Sequence, residues 1–144
     1  MAETVPPLTP QEAVIYLMVM TSASDGRISE RELRTIGRVV RSFPLFSEVD
    51  ESRLVDTAER CGALMASEDG LHKVLTAASE ALPGHLGETA YAAVVDVVTA
   101  DENLYPAEIR VLELIREALN VPDAGADAIE HAARARHMTL EAVG

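Results

Sequence analysis

Asp25 and Glu32 stand seven residues apart in SASDGRISEREL (22–33), and Asp101 and Glu108 stand seven apart in ADENLYPAEIRV (100–111). Carboxylates at that spacing are loop positions five and twelve of an EF-hand, and in the first stretch Gly26 and Ile28 match positions six and eight. Positions one and three, however, are Thr21 and Ala23 in one stretch and Val97 and Thr99 in the other. Calcium wants oxygen-rich side chains there, and roughly six to eight oxygens in all, so neither stretch alone is an EF-hand. Taken together the four carboxylates, with loop carbonyls and water, have the donor chemistry of a divalent-cation site. A cation would also relieve repulsion among clustered acids in a chain of net charge −12.

A second explanation needs no metal. Ser29 and Glu32 have the spacing of a capping box, and negative charge in a first helical turn is favourable by itself. Asp25-Gly26 is a common turn pair. Capping accounts for each loop separately, but it does not require an Asp seven residues before the Glu in both. The residues alone leave the two explanations open.

The elements that must position these residues read as helices. Thr9-Pro10-Gln11-Glu12 is a strong helix start, with a capping Thr, a Pro at the first position and a Glu that closes the box. The helix it opens, about 10–22, is apolar almost all round, as a central buried helix should be. Ser29 opens the next, whose Leu33, Ile36, Val40 and Phe43 share one face, and Pro44 ends it. Further helices are expected at about 50–66, from a Ser67 cap to about 82, at about 85–99, 106–119 and 122–137. No segment alternates with period two. The expected fold is all-α, with about seven helices, a flexible tail at 1–8 and a single domain over 9–144.

Composition narrows the function. The hydrophobic share of 48% supplies a core, while aromatics at 3% and the absence of Trp leave that core to aliphatic side chains that favour packed helices. With 24 carboxylates against 12 Lys and Arg, the chain lacks the basic footprint that nucleic-acid binding requires. The single Cys61 cannot close an internal disulfide, which fits a reducing cytoplasm. The start MAETVPPLTP lacks signal-peptide character, and no apolar run approaches the roughly 20 residues of a membrane span. A cytoplasmic protein without an integral membrane segment is the expectation.

Five of the basic residues, Arg27, Arg31, Arg34, Arg38 and Arg41, step by 4, 3, 4 and 3 along one helix face. They form either a solvated surface or a docking stripe for an acidic partner or an anionic membrane face. Catalysis has no comparable signal. His72, His85, His131 and His137 make no pair at metal-ligand spacing, Cys61 is spaced as a core residue, and no Gly-rich phosphate loop is present.

Sliding the chain by 76 residues places Asp25 on Asp101, Glu32 on Glu108 and Arg34 on Arg110, with four apolar positions also matched. Each unit, about 13–43 and 89–119, is a buried helix, an Asp-led loop and a helix with Glu at its third position. Side-by-side packing of the buried helices would bring the two loops near each other. With SDGRISERELRTIG and ADENLYPAEIRVLELI each following an apolar helix, the chain resembles the TerB family of bacterial tellurite-resistance proteins over about residues 13–120.

The resemblance implies an internally duplicated bundle of about seven helices, working without catalytic activity in tellurite resistance and wider stress responses. It implies metal binding at Asp25, Glu32, Asp101 and Glu108, the metal being unidentified, and no other cofactor. A protein partner is implied too, with membrane-associated stress-response components as candidates; homodimerisation is left open. The second loop departs from the family pattern. Where the family repeats an Asp-Gly pair, this chain has Asp101-Glu102, which removes a permissive glycine and adds a carboxylate.

Overall fold

The computed structural model describes residues 7–22, 28–100 and 106–141. Seven α-helices and no strand are found among them: α1 (Pro10–Ser22), α2 (Glu30–Ser42), α3 (Glu51–Met65), α4 (Gly70–Ala81), α5 (Gly87–Ala100), α6 (Pro106–Ala118) and α7 (Asp123–Arg136). The protein is all-α. Residues 1–6 of the expected tail, and Asp25, Arg27 and Asp101, lie outside the described residues.

Local chemistry sets the helix starts. The Thr9 N–H donates to Glu12 Oε1 at 2.9 Å while the Glu12 N–H donates to Thr9 Oγ1 at 3.1 Å, so the first capping box is complete. Ser29 and Glu32 repeat it at the head of α2, at 2.9 and 3.0 Å. Asp50 caps α3 by accepting the Arg53 N–H at 2.8 Å.

The start of α4 differs from the expected Ser67 cap. The Ser67 hydroxyl instead donates backwards to the Leu64 carbonyl at 2.6 Å, closing the end of α3. Asp69 then turns through the left-handed region at φ 55°. Gly70 follows because a Cβ there would stand 2.2 Å from the Met65 carbonyl oxygen. Residues expected to begin the next helix form a short 3-10 turn, Gly84–Leu86, ahead of α5.

α1 is the hub. Every residue from Ala13 to Thr21 is buried, and α3, α4 and α5 pack around it. Such side chains contribute roughly 1.5–3 kcal/mol each when fully removed from water, which makes α1 the main source of cohesion. α5 lies against α1 and is nearly as enclosed, with Ala93 to Val98 all buried, and α7 covers its other side. The two all-apolar helices read from the sequence are thus neighbours at the centre. Their last turns bring the heads of α2 and α6 to one end of the bundle, where Glu32 and Glu108 sit.

Candidate functional site

At that end a cleft of about 110 Å³ opens between the last turns of α1 and α5 and the first turns of α2 and α6. Thr21, Glu32, Thr35, Val97, Val98 and Glu108 line it, with Arg31 at the α2 side. Two carboxylates 76 positions apart in sequence therefore face the same space. Asp25 and Asp101, the other members of the expected set, are outside the described residues. Among the described residues, no three of His, Cys, Asp and Glu gather closely enough to hold a metal ion.

Glu32 serves both explanations that the sequence left open. One of its oxygens, Oε1, takes the Ser29 N–H and completes the cap. The same side chain also borders the cleft, so the cap orients it there and costs it one acceptor site. Among the described residues, the side-chain oxygens on the wall come from the two carboxylates and from the hydroxyls of Thr21, Ser22 and Thr35, with no sulfur or imidazole and with the Arg31 guanidinium at one edge. That chemistry suits a hard divalent cation better than a thiophilic one.

Arg31, Arg34, Arg38 and Arg41 are all exposed along α2, as their spacing predicts. They border a second and larger space, a groove of about 980 Å³ between α2 and α3. Arg31 touches both the cleft and the groove. Among the described residues, none of the four has a carboxylate oxygen within the 4.0 Å of an ion pair.

Of the residues weighed for catalysis, Cys61 lies in the core and the histidines are spread over the fold. Cys61 is fully buried, its Sγ 3.5 Å from the Tyr16 carbonyl oxygen, and burial pushes the thiol up to about 12. It therefore stays protonated and unreactive at neutral pH. His72 lies on α4, His85 in the 3-10 turn and His131 on α7.

His137 has a use that its sequence position did not reveal. Asp96, buried on α5, accepts a charge-assisted hydrogen bond from Arg136 and has the His137 Nε2 at 3.5 Å. Alongside it, the Tyr91 hydroxyl donates to Glu130 Oε2 at 2.8 Å; burial and then this bond raise the phenol above its ordinary range. These contacts fasten α7 to α5. The signal for them was a lone Asp inside AYAAVVDVV, since a carboxylate within an apolar helix must find a partner.

The family model described as tellurite resistance protein TerB matches residues 11–131. No curated protein and no solved structure matches the chain.

Proposed function

The chain belongs to the TerB family, and on that premise we propose that this tellurite-resistance-related protein is a non-enzymatic cation-responsive module that acts with a protein partner. The observation that supports the cation half is the shared cleft: Glu32 and Glu108, from the two Asp-to-Glu units, border one space at the end of the bundle. The residues present fit a hard divalent cation, because among the described residues the side-chain oxygens on the wall are carboxylate and hydroxyl, with the Arg31 guanidinium at the α2 side. Glu32 and Glu108 would hold the ion, with Asp25 and Asp101 completing the set. When bound, such an ion supplies positive charge, which offsets repulsion between carboxylates brought together in a chain of net charge −12.

The protein's own residues supply the rest of the arrangement. The Ser29 cap fixes the direction of Glu32, and the packing of α1 on α5 sets how far apart the heads of α2 and α6 stand. A change at the cleft would be felt first by Arg31, which borders it and also lines the groove beside α3. Tellurite itself has no assigned contact: the family takes its name from a resistance phenotype, and a phenotype is not a ligand.

Calorimetric titration of the chelator-treated protein with calcium, manganese and zinc tests the cation half. Saturable binding is expected for calcium or manganese, and its loss is expected in Glu32→Gln with Glu108→Gln and in Asp25→Asn with Asp101→Asn. Gln at 32 retains the capping acceptor, so α2 should keep its start. No saturable binding in the parent, or equal binding in both pairs of variants, would sink the proposal. The metal-independent adaptor would then remain, carried by the four α2 arginines, none of which has a carboxylate partner among the described residues.

A further inference from the structure

We propose that the groove between α2 and α3 is the docking site for an acidic, amphipathic helical segment of a protein partner. This gives a chemistry to the partner in the proposed function and rests on that reading only for there being a partner; it does not depend on a cation in the cleft.

Charge is the first argument. In a chain with twice as many carboxylates as Lys and Arg, four guanidinium groups line one groove, and none is paired with a carboxylate among the described residues. Of the six arginines that follow α2, four are used internally: Arg60 holds Glu12 and Asp56, Arg110 holds Glu113, Arg116 holds Asp123 and Arg136 holds Asp96, while Arg53 and Arg134 stand apart from one another on α3 and α7 without an ion pair among the described residues. Carboxylates are plentiful, so the absence of partners along α2 leaves a surface matched to acid from outside.

Shape is the second argument. The groove floor is apolar, made by Leu33, Val40, Val49, Leu54 and Val55. Gly37 lowers it further. With no side chain there, the Arg41 guanidinium lies 3.5 Å from where a Cβ would be and the Leu54 Cδ2 lies 3.7 Å from it. The cations step by 3, 4 and 3 residues, so they recur about every 5 Å along α2, the pitch at which a helix repeats acids at i and i+4. An occupant helix would place its apolar stripe on the floor and its acids against the arginine rim.

Other acidic ligands fit less well. Glu30 lies at one end of the groove, at the start of α2, and Asp50 and Glu51 lie at the start of α3. A polyphosphate backbone would meet those carboxylates as well as the net charge of −12. An anionic bilayer would meet the same net charge, and a flat surface cannot reach a concave apolar floor. A peptide can leave its ends uncharged and keep its acids opposite the arginines.

The test is selection of a displayed library of random peptides of about 16 residues, roughly four helical turns, on the full chain in chelator. Enriched sequences should carry Asp and Glu on one helical face and Leu, Ile, Val or Met on another. The best clone, measured by fluorescence anisotropy, should weaken about tenfold or more in Arg34→Glu with Arg38→Glu, and much less in Arg34→Lys with Arg38→Lys. Both variants should melt as the parent does, since these side chains are exposed. The proposal is overturned by uncharged or basic binders, by an absence of binders, or by binding that survives the charge reversal. Arginine-dependent capture by phosphatidylglycerol vesicles in place of peptide overturns it too, and so does arginine-dependent self-association in sedimentation. Because the selection runs in chelator, its failure and the failure of the cation titration are separate results.

Discussion

The two Asp-to-Glu units share a sequence pattern and end with opposite electrostatics. In the first, α1 is buried from Ala13 to Thr21 and carries no charged residue there, while the α2 arginines have no carboxylate partner among the described residues. In the second, α5 carries the buried Asp96, and the arginines of α6 each have a carboxylate, Arg110 with Glu113 at 3.3 Å and Arg116 with Asp123. The coverings differ as well. α1 is enclosed by apolar faces of α3 and α4, whereas α5 is fastened to α7 by Asp96–Arg136 and Tyr91–Glu130. A shared sequence pattern thus does not give a common role: one unit is an apolar hub with a cationic outer helix, and the other is a polar clasp with an internally neutralised one.

The comparison is most easily broken through the hub. Leu17→Ala should cost about 2–5 kcal/mol by chemical denaturation, because α1 has neighbours on every side and cannot collapse into the space left. Leu112→Ala on the half-buried face of α6 should cost distinctly less. Equal losses would mean that the two units share the burden of cohesion.

Removing the clasp should cost less again. Arg136→Ala with His137→Ala leaves Asp96 buried without either neighbour, and about 1–3 kcal/mol is expected, since Arg136 itself is half exposed. Adding Asp96→Asn should recover part of that loss. If no recovery is seen on denaturation, the clasp holds by packing and not by charge.

Arg60 reports on the first unit's only tie to α3 through charge among the described residues, its Nη2 lying 2.6 Å from Glu12. Burial raises the Glu12 carboxyl, but the Thr9 backbone N–H and the Arg60 guanidinium outweigh it, so the net shift is downward from 4.5. A depressed folded value stabilises the protein above 4.5, and the contribution is lost as pH falls below that. Arg60→Ala should therefore cost under about 1 kcal/mol at neutral pH and progressively less in acid. A pH-independent difference in melting temperature would argue against the ion pair.

The smallest effect at neutral pH belongs to Cys61. Its thiol is raised from 9.0 to about 12 by burial, so the folded state favours the neutral form. That preference gives full stability below pH 9.0, which is lost as pH rises from 9.0 towards about 12. Thiol reagents should label the native protein at pH 8 only at the rate of unfolding; rapid native labelling would place Cys61 nearer the surface.

Much of this was legible in the sequence because it is local. The capping boxes at Thr9 and Ser29 fix helix starts through contacts three residues apart, and both have the expected bonds. Apolar residues all round α1 and α5 required burial on every side, and both are central. The Ser67 cap misread a local choice: that hydroxyl can serve the helix behind it as readily as the one ahead, and Gly70 tips the outcome by its close approach to Met65.

What the sequence could not decide were meetings between residues far apart in the chain. Composition required an acidic, helical, aliphatic-cored protein, and spacing required a Glu at the third position of α2 and α6. Only the packing of α1 against α5 turned those two Glu residues into walls of one cleft. Only the return of α7 over α5 gave Asp96 its arginine, and only the placing of α3 beside α2 made a groove of an arginine stripe. The reason is physical: caps and periodicity are set within a turn or two of helix, whereas these sites depend on which buried faces find each other.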